Sequence, residues 1–430
     1  MTLTAMPQYD AYKNSGIEWL GDIPKHWLLK KAKYLLSEVN IRSESGGERL
    51  LSLSKYHGMV PKDSLEERSG GAASLIGYKK VSVNQLVVNK MQAVNGLLAV
   101  SSLEGITSPD YSVYEAKGVY TTNIKYIEYL LTQPEYLAEF KRRVTGVMDG
   151  FIRLYTDDLF AIKIIHPPLE EQARLVSFLD DKTAKIDEAI AIKEQQIALL
   201  NERKQILIQQ AVTQGLDPSV PMKDSNVAWI GKIPEHWQIK RLKFVLDERS
   251  ERSLTGEEPL FMVSQQYGLV VRADYHEKAV VAASNIDSKI VYKNDLVFNK
   301  LKAHLGVFFK SNIDFKGIVS PDYAVYKIKD YISDTKILEL LFRNPLYIEQ
   351  FTIRATGIVE GLIRLYTSDL FDISIPIAPI DEQLKILAHI EKMSALFDKT
   401  IEIHRDQCEK LKEYKTTLIN SAVTGKIKVV

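Results

Sequence analysis

The sequence has a single cysteine, Cys408, in 430 residues. One thiol excludes an intramolecular disulfide framework and any cysteine-rich zinc site. It fits a bacterial-type cytoplasm or another reducing compartment. No apolar run approaches the roughly 18 residues that a membrane-spanning helix requires. The opening MTLTAMPQYD has no positive segment followed by an apolar stretch, so no secretory signal is expected. Neither sign of charge dominates, because 56 basic and 55 acidic residues leave a net charge of +1. That balance excludes a protein that holds DNA by net charge alone. Any positive charge serving nucleic acid must be local or supplied by partners. Apolar residues at 45% and charged residues at 26% are the mix of a globular chain. The length suits roughly two to four structural units.

What is present is a long internal repeat. Trp19-Leu-Gly-Asp-Ile-Pro-Lys-His-Trp27 recurs as Trp229-Ile-Gly-Lys-Ile-Pro-Glu-His-Trp237, with six of nine positions identical. Leu86-Val-Val-Asn-Lys-Met-Gln-Ala-Val-Asn-Gly96 returns as Leu296-Val-Phe-Asn-Lys-Leu-Lys-Ala-His-Leu-Gly306. Ser108-Pro-Asp-Tyr111 matches Ser320-Pro-Asp-Tyr323. Gly150-Phe-Ile-Arg-Leu-Tyr-Thr-Asp-Asp-Leu-Phe160 matches Gly361-Leu-Ile-Arg-Leu-Tyr-Thr-Ser-Asp-Leu-Phe371 at nine of eleven positions. Pro168-Leu-Glu-Glu-Gln172 pairs with Pro379-Ile-Asp-Glu-Gln383. The anchors keep their order at offsets of 210 to 212, a period too long for a solenoid. A domain plus a helix is duplicated. Between anchors, 51–81 and 260–291 share little beyond a Tyr-Gly type turn around Gly58 and Gly268. Two readings fit: a duplicated scaffold without a specific ligand, or two readers on one frame.

Each repeat opens as a mixed α/β unit. Val81–Val88 and Ile290–Phe298 have strand-like spacing. Phe160–His166 and Phe371–Ile377 read as strands ending at prolines. Lys125–Arg143 and Asp334–Arg354 carry apolar residues at helical spacing. Long helices follow at about Glu170–Thr213 and Asp381–Thr424, each opened by proline and acidic residues. Their heptad-like seam runs Ile186, Ile190, Lys193, Ile197, Leu200, Lys204, Leu207, Ala211 in the first helix. In the second it runs Phe397, Ile401, His404, Cys408, Leu411, Lys415, Leu418, Ala422. Lysine interrupts both at equivalent places, which weakens a coil but fixes its register. The expected architecture is α+β. Two similar α/β domains, 1–168 and 215–379, are separated by a long central helix at 169–214 and a long C-terminal helix with its tail at 380–430. The helices pair as an antiparallel coiled coil with internal pseudo-two-fold symmetry. Pairing of each helix with another chain is the alternative. Ile190, Ile197, Leu200, Leu207, Ile401, Leu411 and Leu418 are the seam or partner-facing candidates.

Catalytic machinery is not apparent. The sequence has no G-x-G-x-x-G, Walker loop, H-E-x-x-H or G-x-S-x-G. Cys408 falls on the seam and reads as packing. His26 and His236 lie between proline and tryptophan in a packing motif, without companion metal ligands. Pro109-Asp110 with Glu115-Ala-Lys117 resembles a metal-dependent nuclease motif, but the second copy lacks the glutamate. No catalytic residue and no metal ligand is assigned.

The candidates for nucleic acid cluster near turns. Lys90, Gln92 and Asn95 precede Gly96; Lys300, Lys302 and His304 precede Gly306. Amide side chains pair with adenine, and lysine or arginine with guanine or phosphate. Lys90 and Lys300 belong to the shared frame, whereas Gln92 against Lys302 is variable. The bland reading is a solvated loop after a strand. Arg142 and Arg143, with Arg354 in the second copy, are phosphate candidates or a solvated helix face. Arg153 and Arg364 lie in the most strongly repeated stretch, so a common role, packing or phosphate contact, is expected.

Taken together, the Trp-x-Gly-x-Ile-Pro-x-His-Trp opening, the Asn-Lys-x-x-Ala-x-x-Gly segment, the Ser-Pro-Asp-Tyr box and the Pro-x-x-Glu-Gln helix entry resemble the DNA-specificity subunit of type I restriction–modification systems. The resemblance spans essentially the whole chain. It implies two target-recognition domains, each reading one half of a bipartite site in double-stranded DNA. It implies that the helices fix the spacer and dock two methyltransferase (modification) subunits, which restriction/motor subunits join. S-adenosylmethionine, ATP and Mg2+ are then expected on the partner subunits and none in this chain, a non-catalytic subunit. The rival from another class is a non-catalytic scaffold that joins two partner proteins without reading bases.

Overall fold

The computed structural model describes residues 6–55, 57–65, 74–118, 122–144, 152–275, 285–357 and 364–429, without the side chains of 303 and 304. Two compact units divide the chain: Met1–Glu194 with Arg405–Val430, and Gln195–His404. Each unit therefore contains one mixed domain and a part of each long helix.

In the first unit a four-stranded antiparallel sheet runs in the order Leu36–Val39, Tyr111–Ala116, Leu86–Asn89, Leu98–Val100. Successive side chains of a strand face opposite sides, and here both sides are covered. Leu86, Val88, Leu98 and Tyr114 face a core shared with helices Ile124–Leu131 and Pro134–Arg143 and with both long helices. Val87, Ala99 and Val113 face a smaller core closed by the hairpin Leu51–Ser54/Gly58–Pro61 and the strand Lys79–Val81. Burying both faces explains why these strands read as continuous apolar runs rather than alternating ones.

The second unit repeats the plan. Its sheet runs Leu246–Glu248, Tyr323–Ile328, Leu296–Asn299, Phe308–Lys310. Phe261–Ser264 and Gly268–Val271 form the hairpin over the smaller core. Phe298, Phe308, Phe342 and Phe351 fill the larger one, with ring centroids 4.3–5.3 Å apart along the series.

Local chemistry adjusts several sequence expectations. The single strands expected at 81–88 and 290–298 are each two strands. The break is a turn holding Asn84 or Asn294 in the left-handed region at φ 64° and 67°. Asparagine tolerates that conformation better than other residues with side chains. The helices expected at 125–143 and 334–354 each break before a proline, at Pro134 and Pro345, because the preceding residue is pushed out of helical geometry. Phe160 lies in the last turn of a short helix, Thr156–Ala161, and the strand begins only at Lys163.

The long helices span Leu169–Gln214 and Ile380–Val423, 46 and 44 residues. They pair antiparallel within each unit. In the first, Lys415 lies 2.6 Å from Asp187, while Lys412 feels the charge of Glu194, so the two sequences run in opposite directions. In the second, Lys204 lies 2.7 Å from Asp398. Ile186, Ile190, Ala211, Ile401, Cys408, Leu418 and Ala422 are buried on the seam. Ile197, Leu200, Leu207 and Leu411 are half-buried on it.

Candidate nucleic-acid interface

The Trp…His-Trp and Glu-Gln anchors turn out to fasten each domain to the ends of the long helices. His26 sets Nε2 2.9 Å from the Glu171 carboxylate in the first helical turn, and Tyr9 donates its hydroxyl to the same group. His236 lies 2.6 Å from Glu382, and Trp237 Nε1 donates to it at 3.1 Å. The Gln172 and Gln383 amides next to them bond backbone of the domain: Gln172 accepts from Asn123 N at 2.8 Å and Gln383 from Ser333 N at 2.9 Å. The opposite helix ends dock beside the same tryptophans. Gly425 approaches Pro24 and Trp27, and Gly215 approaches Trp237 and Glu382. The repeated Trp…His-Trp and Glu-Gln motifs thus serve architecture.

A second repeated constellation lies at the sheet. In the first unit Glu38 accepts from Lys79 at 3.5 Å, from Thr156 at 2.8 Å and from Ser112 at 3.3 Å. Tyr114 bonds Thr156 at 3.0 Å. Lys79 is buried, and burial first, then the neighbouring charge of Lys90, pushes its ammonium below the ordinary lysine range. The Lys90 carbonyl accepts from Leu154 N at 3.0 Å, which brings Arg153 alongside. Arg153 lies 3.7 Å from Asp110 of the Ser-Pro-Asp-Tyr box.

The second unit builds the same cluster from Glu248, Lys289, Lys300, Tyr326, Arg364, Thr367 and Asp322. Glu248 is 3.1 Å from Lys289 and 4.0 Å from Lys300. Tyr326 bonds Thr367 at 2.9 Å, and Leu365 N donates to the Lys300 carbonyl at 3.1 Å. Arg364 is 3.2 Å from Asp322. Burial, then Lys289, lowers the Lys300 ammonium. Burial alone would raise the Glu248 carboxyl, but bonds from Thr367 and Lys289 and the charge of Lys300 outweigh it and hold it low. Among the residues of the repeated cluster, three cations face two carboxylates in each unit, Glu38 with Asp110 or Glu248 with Asp322. That surplus of positive charge in a half-buried setting suits an anion.

The structure therefore unites Lys90 with Arg153, and Lys300 with Arg364, around partners that sequence reasoning missed: Glu38, Lys79, Glu248 and Lys289. The missed residues had a signal, since both pairs are identical between copies at an offset of 210. Gln92 and Asn95 are exposed beside Lys90 and bond each other at 2.7 Å. Asn89 shapes their turn by accepting from Met91 N and Gln92 N. Lys302 is exposed, and the His304 side chain lies outside the described residues. Arg142, Arg143 and Arg354 are tied to their own helices instead. Arg142 and Arg143 sit 3.4 Å and 2.6 Å from Glu139, and Arg354 donates to Gln350 at 2.6 Å.

The nuclease-like motif does not converge. Asp110 pairs with Arg153, while Lys117 donates to the Lys33 carbonyl beyond the far end of the strand Tyr111–Ala116. Among the described residues no three His, Cys, Asp or Glu side chains are grouped to hold a metal ion.

No family model matches the chain. Over 396 residues it is 25% identical to the type I restriction enzyme MjaVIII specificity subunit of Methanocaldococcus jannaschii, covering 87% of this chain and 88% of that protein. Its fold matches a chain solved in work on complex assembly and conformational transition of the type I R-M system, with a TM-score of 0.67 and 14% identity, over 93% of this chain and 98% of that one. It also matches the HsdS subunit of Thermoanaerobacter tengcongensis, with a TM-score of 0.54 and 14% identity, over 96% of this chain and 100% of that one. In sequence over most of its length, and in fold over nearly all of it, the chain is similar to the specificity subunits of type I restriction–modification systems.

Proposed function

We propose that the chain is the DNA-specificity subunit of a type I restriction–modification complex. Each mixed domain, 1–168 and 215–379, reads one half of a bipartite site in double-stranded DNA. The long helices fix the spacer and dock two methyltransferase subunits, and restriction/motor subunits join that assembly. The chain itself does no chemistry. S-adenosylmethionine, ATP and Mg2+ act on the partner subunits, in the cytoplasm. The observation that carries this reading is the duplicated cationic cluster. It is the same in both units, while the residues around it differ. A common frame supplies phosphate affinity, and differing surroundings supply two sequences. The near-neutral net charge follows if partners complete the clamp around DNA.

The test is to co-express the chain with its cognate methyltransferase subunit and map modified adenines across a genome by long-read sequencing. One split motif with a fixed gap is the expected result. A stable complex that modifies nothing would favour a scaffold that only joins proteins.

A further inference from the structure

The hairpin over each smaller core has a frame common to both copies and an apex that is not. In the first, Ser54 Oγ accepts from His57 N at 3.4 Å, and Gly58 closes the turn at φ 64°. In the second, Ser264 Oγ accepts from Tyr267 N at 3.2 Å, and Gly268 closes it at φ 78°. A Cβ at either glycine would sit 3.4 Å from the edge strand, against Ala99 or Phe309, so both apices lie over that edge. In the first unit the half-buried Tyr111 packs against the small core under the hairpin.

Between serine and glycine every residue differs. The first copy has Lys55, Tyr56 and His57; the second has Gln265, Gln266 and Tyr267. Lys55, His57, Gln265, Gln266 and Tyr267 are all exposed, and Tyr56 lies outside the described residues. The surroundings differ too. The second apex borders a hollow with Lys310 and Arg343, where the first copy has Val100 and Thr132. Lys336 and Arg343 share the single buried carboxylate of Glu339, at 2.7 and 2.8 Å, which leaves positive charge beside the apex.

A partner present in two identical copies would meet identical residues in the two units. Targets that differ, as the halves of a bipartite DNA site do, require different residues on one frame. A two-stranded β-ribbon fits the major groove, about 12 Å wide. Glutamine pairs bidentately with adenine there, and lysine with guanine. We propose that these two apices read bases in the major groove, with Gln265 and Gln266 determining specificity for one half-site and Lys55 and His57 for the other. This rests on the DNA-reading function proposed above.

The experiment uses the full chain with its methyltransferase subunit. One variant carries Gln265→Lys, Gln266→Tyr and Tyr267→His together; a second carries Gln266→Ala. Modified adenines are mapped and subunit stoichiometry is measured. Preference should fall roughly 5- to 150-fold, or change, at one or more bases of a single half-site. The other half, the gap and the stoichiometry should be unchanged. An unaltered motif at undiminished methylation would overturn the proposal while leaving DNA reading intact. Loss of the methyltransferase subunit from both variants would make the apex a protein contact and overturn it as well. A parent complex that methylates without a split motif would defeat the DNA-reading function itself, and this proposal with it.

Discussion

Lys415 on the second long helix places its ammonium 2.6 Å from the Asp187 carboxylate on the first, and the repeat-equivalent Lys204 does the same with Asp398 at 2.7 Å. The seam lysines at these two equivalent places are thus answered by an aspartate from the opposite helix. Both aspartates are more than half exposed, so the attraction is screened. Asp187→Ala is expected to cost under about 1 kcal/mol in urea unfolding. Lys204→Leu with Lys415→Leu is expected to hold or raise stability while loosening register, because a polar seam residue restricts pairing more than it stabilises it. Cross-linking between engineered cysteines on the two helices reads that register.

The buried cluster gives a sharper prediction. Glu248→Gln leaves the nearly buried Lys289 ammonium without its closest counter-charge and is expected to destabilise by about 1–3 kcal/mol. Adding Lys289→Met should recover most of that loss, since removing both partners of a buried pair is far less costly than removing one. Denaturant unfolding of the two single variants and the double variant measures the coupling.

The same carboxylate sets an acid limb. Its folded-state pKa lies below its ordinary value of 4.5, so the stability it contributes is fully present above pH 4.5 and is lost as pH falls through the folded value. Glu248→Gln should flatten the stability profile below pH 4.5, measured by denaturant unfolding as the pH is lowered stepwise. Lys300 works at the other end. Its ammonium is held below 10.5, so DNA affinity should begin to fall on the alkaline side before an ordinary lysine would titrate. Lys300→Arg should remove that dependence, because guanidinium stays charged.

Lys90→Ala and Lys300→Ala should each weaken binding to target and random duplexes alike. Each should reduce the slope of log affinity against log salt by about 1. Fluorescence anisotropy of the complex over a salt series checks this. A loss confined to the target duplex would make these lysines base readers.

The two helix-terminal glycines should differ. Both sit in the left-handed region, at φ 79° for Gly425 and 81° for Gly215. A methyl at Gly425 would lie 2.4 Å from Pro24 Cδ, a rigid ring, whereas at Gly215 the nearest atom is the movable Glu382 carboxylate at 2.9 Å. Gly425→Ala is expected to cost about 2–4 kcal/mol and Gly215→Ala about 1 kcal/mol. Thermal unfolding of both variants tests the order.

Local signals in the sequence placed the long helices within one residue of their ends. Pro168 and Pro379 mark the starts, and a heptad seam fills the span. Inside the domains the apolar periodicity runs on through Pro134 and Pro345, but the structure breaks both helices there. Arg153 and Arg364 stood out because their neighbours repeat. Glu38 and Lys79 did not, because they stand among scattered identities between the anchors and meet only in the folded chain, 41 residues apart in sequence. The hairpin apices were hidden for the opposite reason: their differences look like drift until the shared Ser and Gly show that the frame was kept.

Lys428 N donates to the Pro7 carbonyl at 2.7 Å, and Tyr12 donates its hydroxyl to the Gly425 carbonyl at 3.1 Å. Segments near the beginning and end of the described chain therefore meet on one domain, where the second long helix ends at Gly425 much as the first ends at Gly215. Tying the ends with a short linker and cutting at 216–221 would preserve every contact described within either unit, so a circularly permuted gene should encode the same molecule.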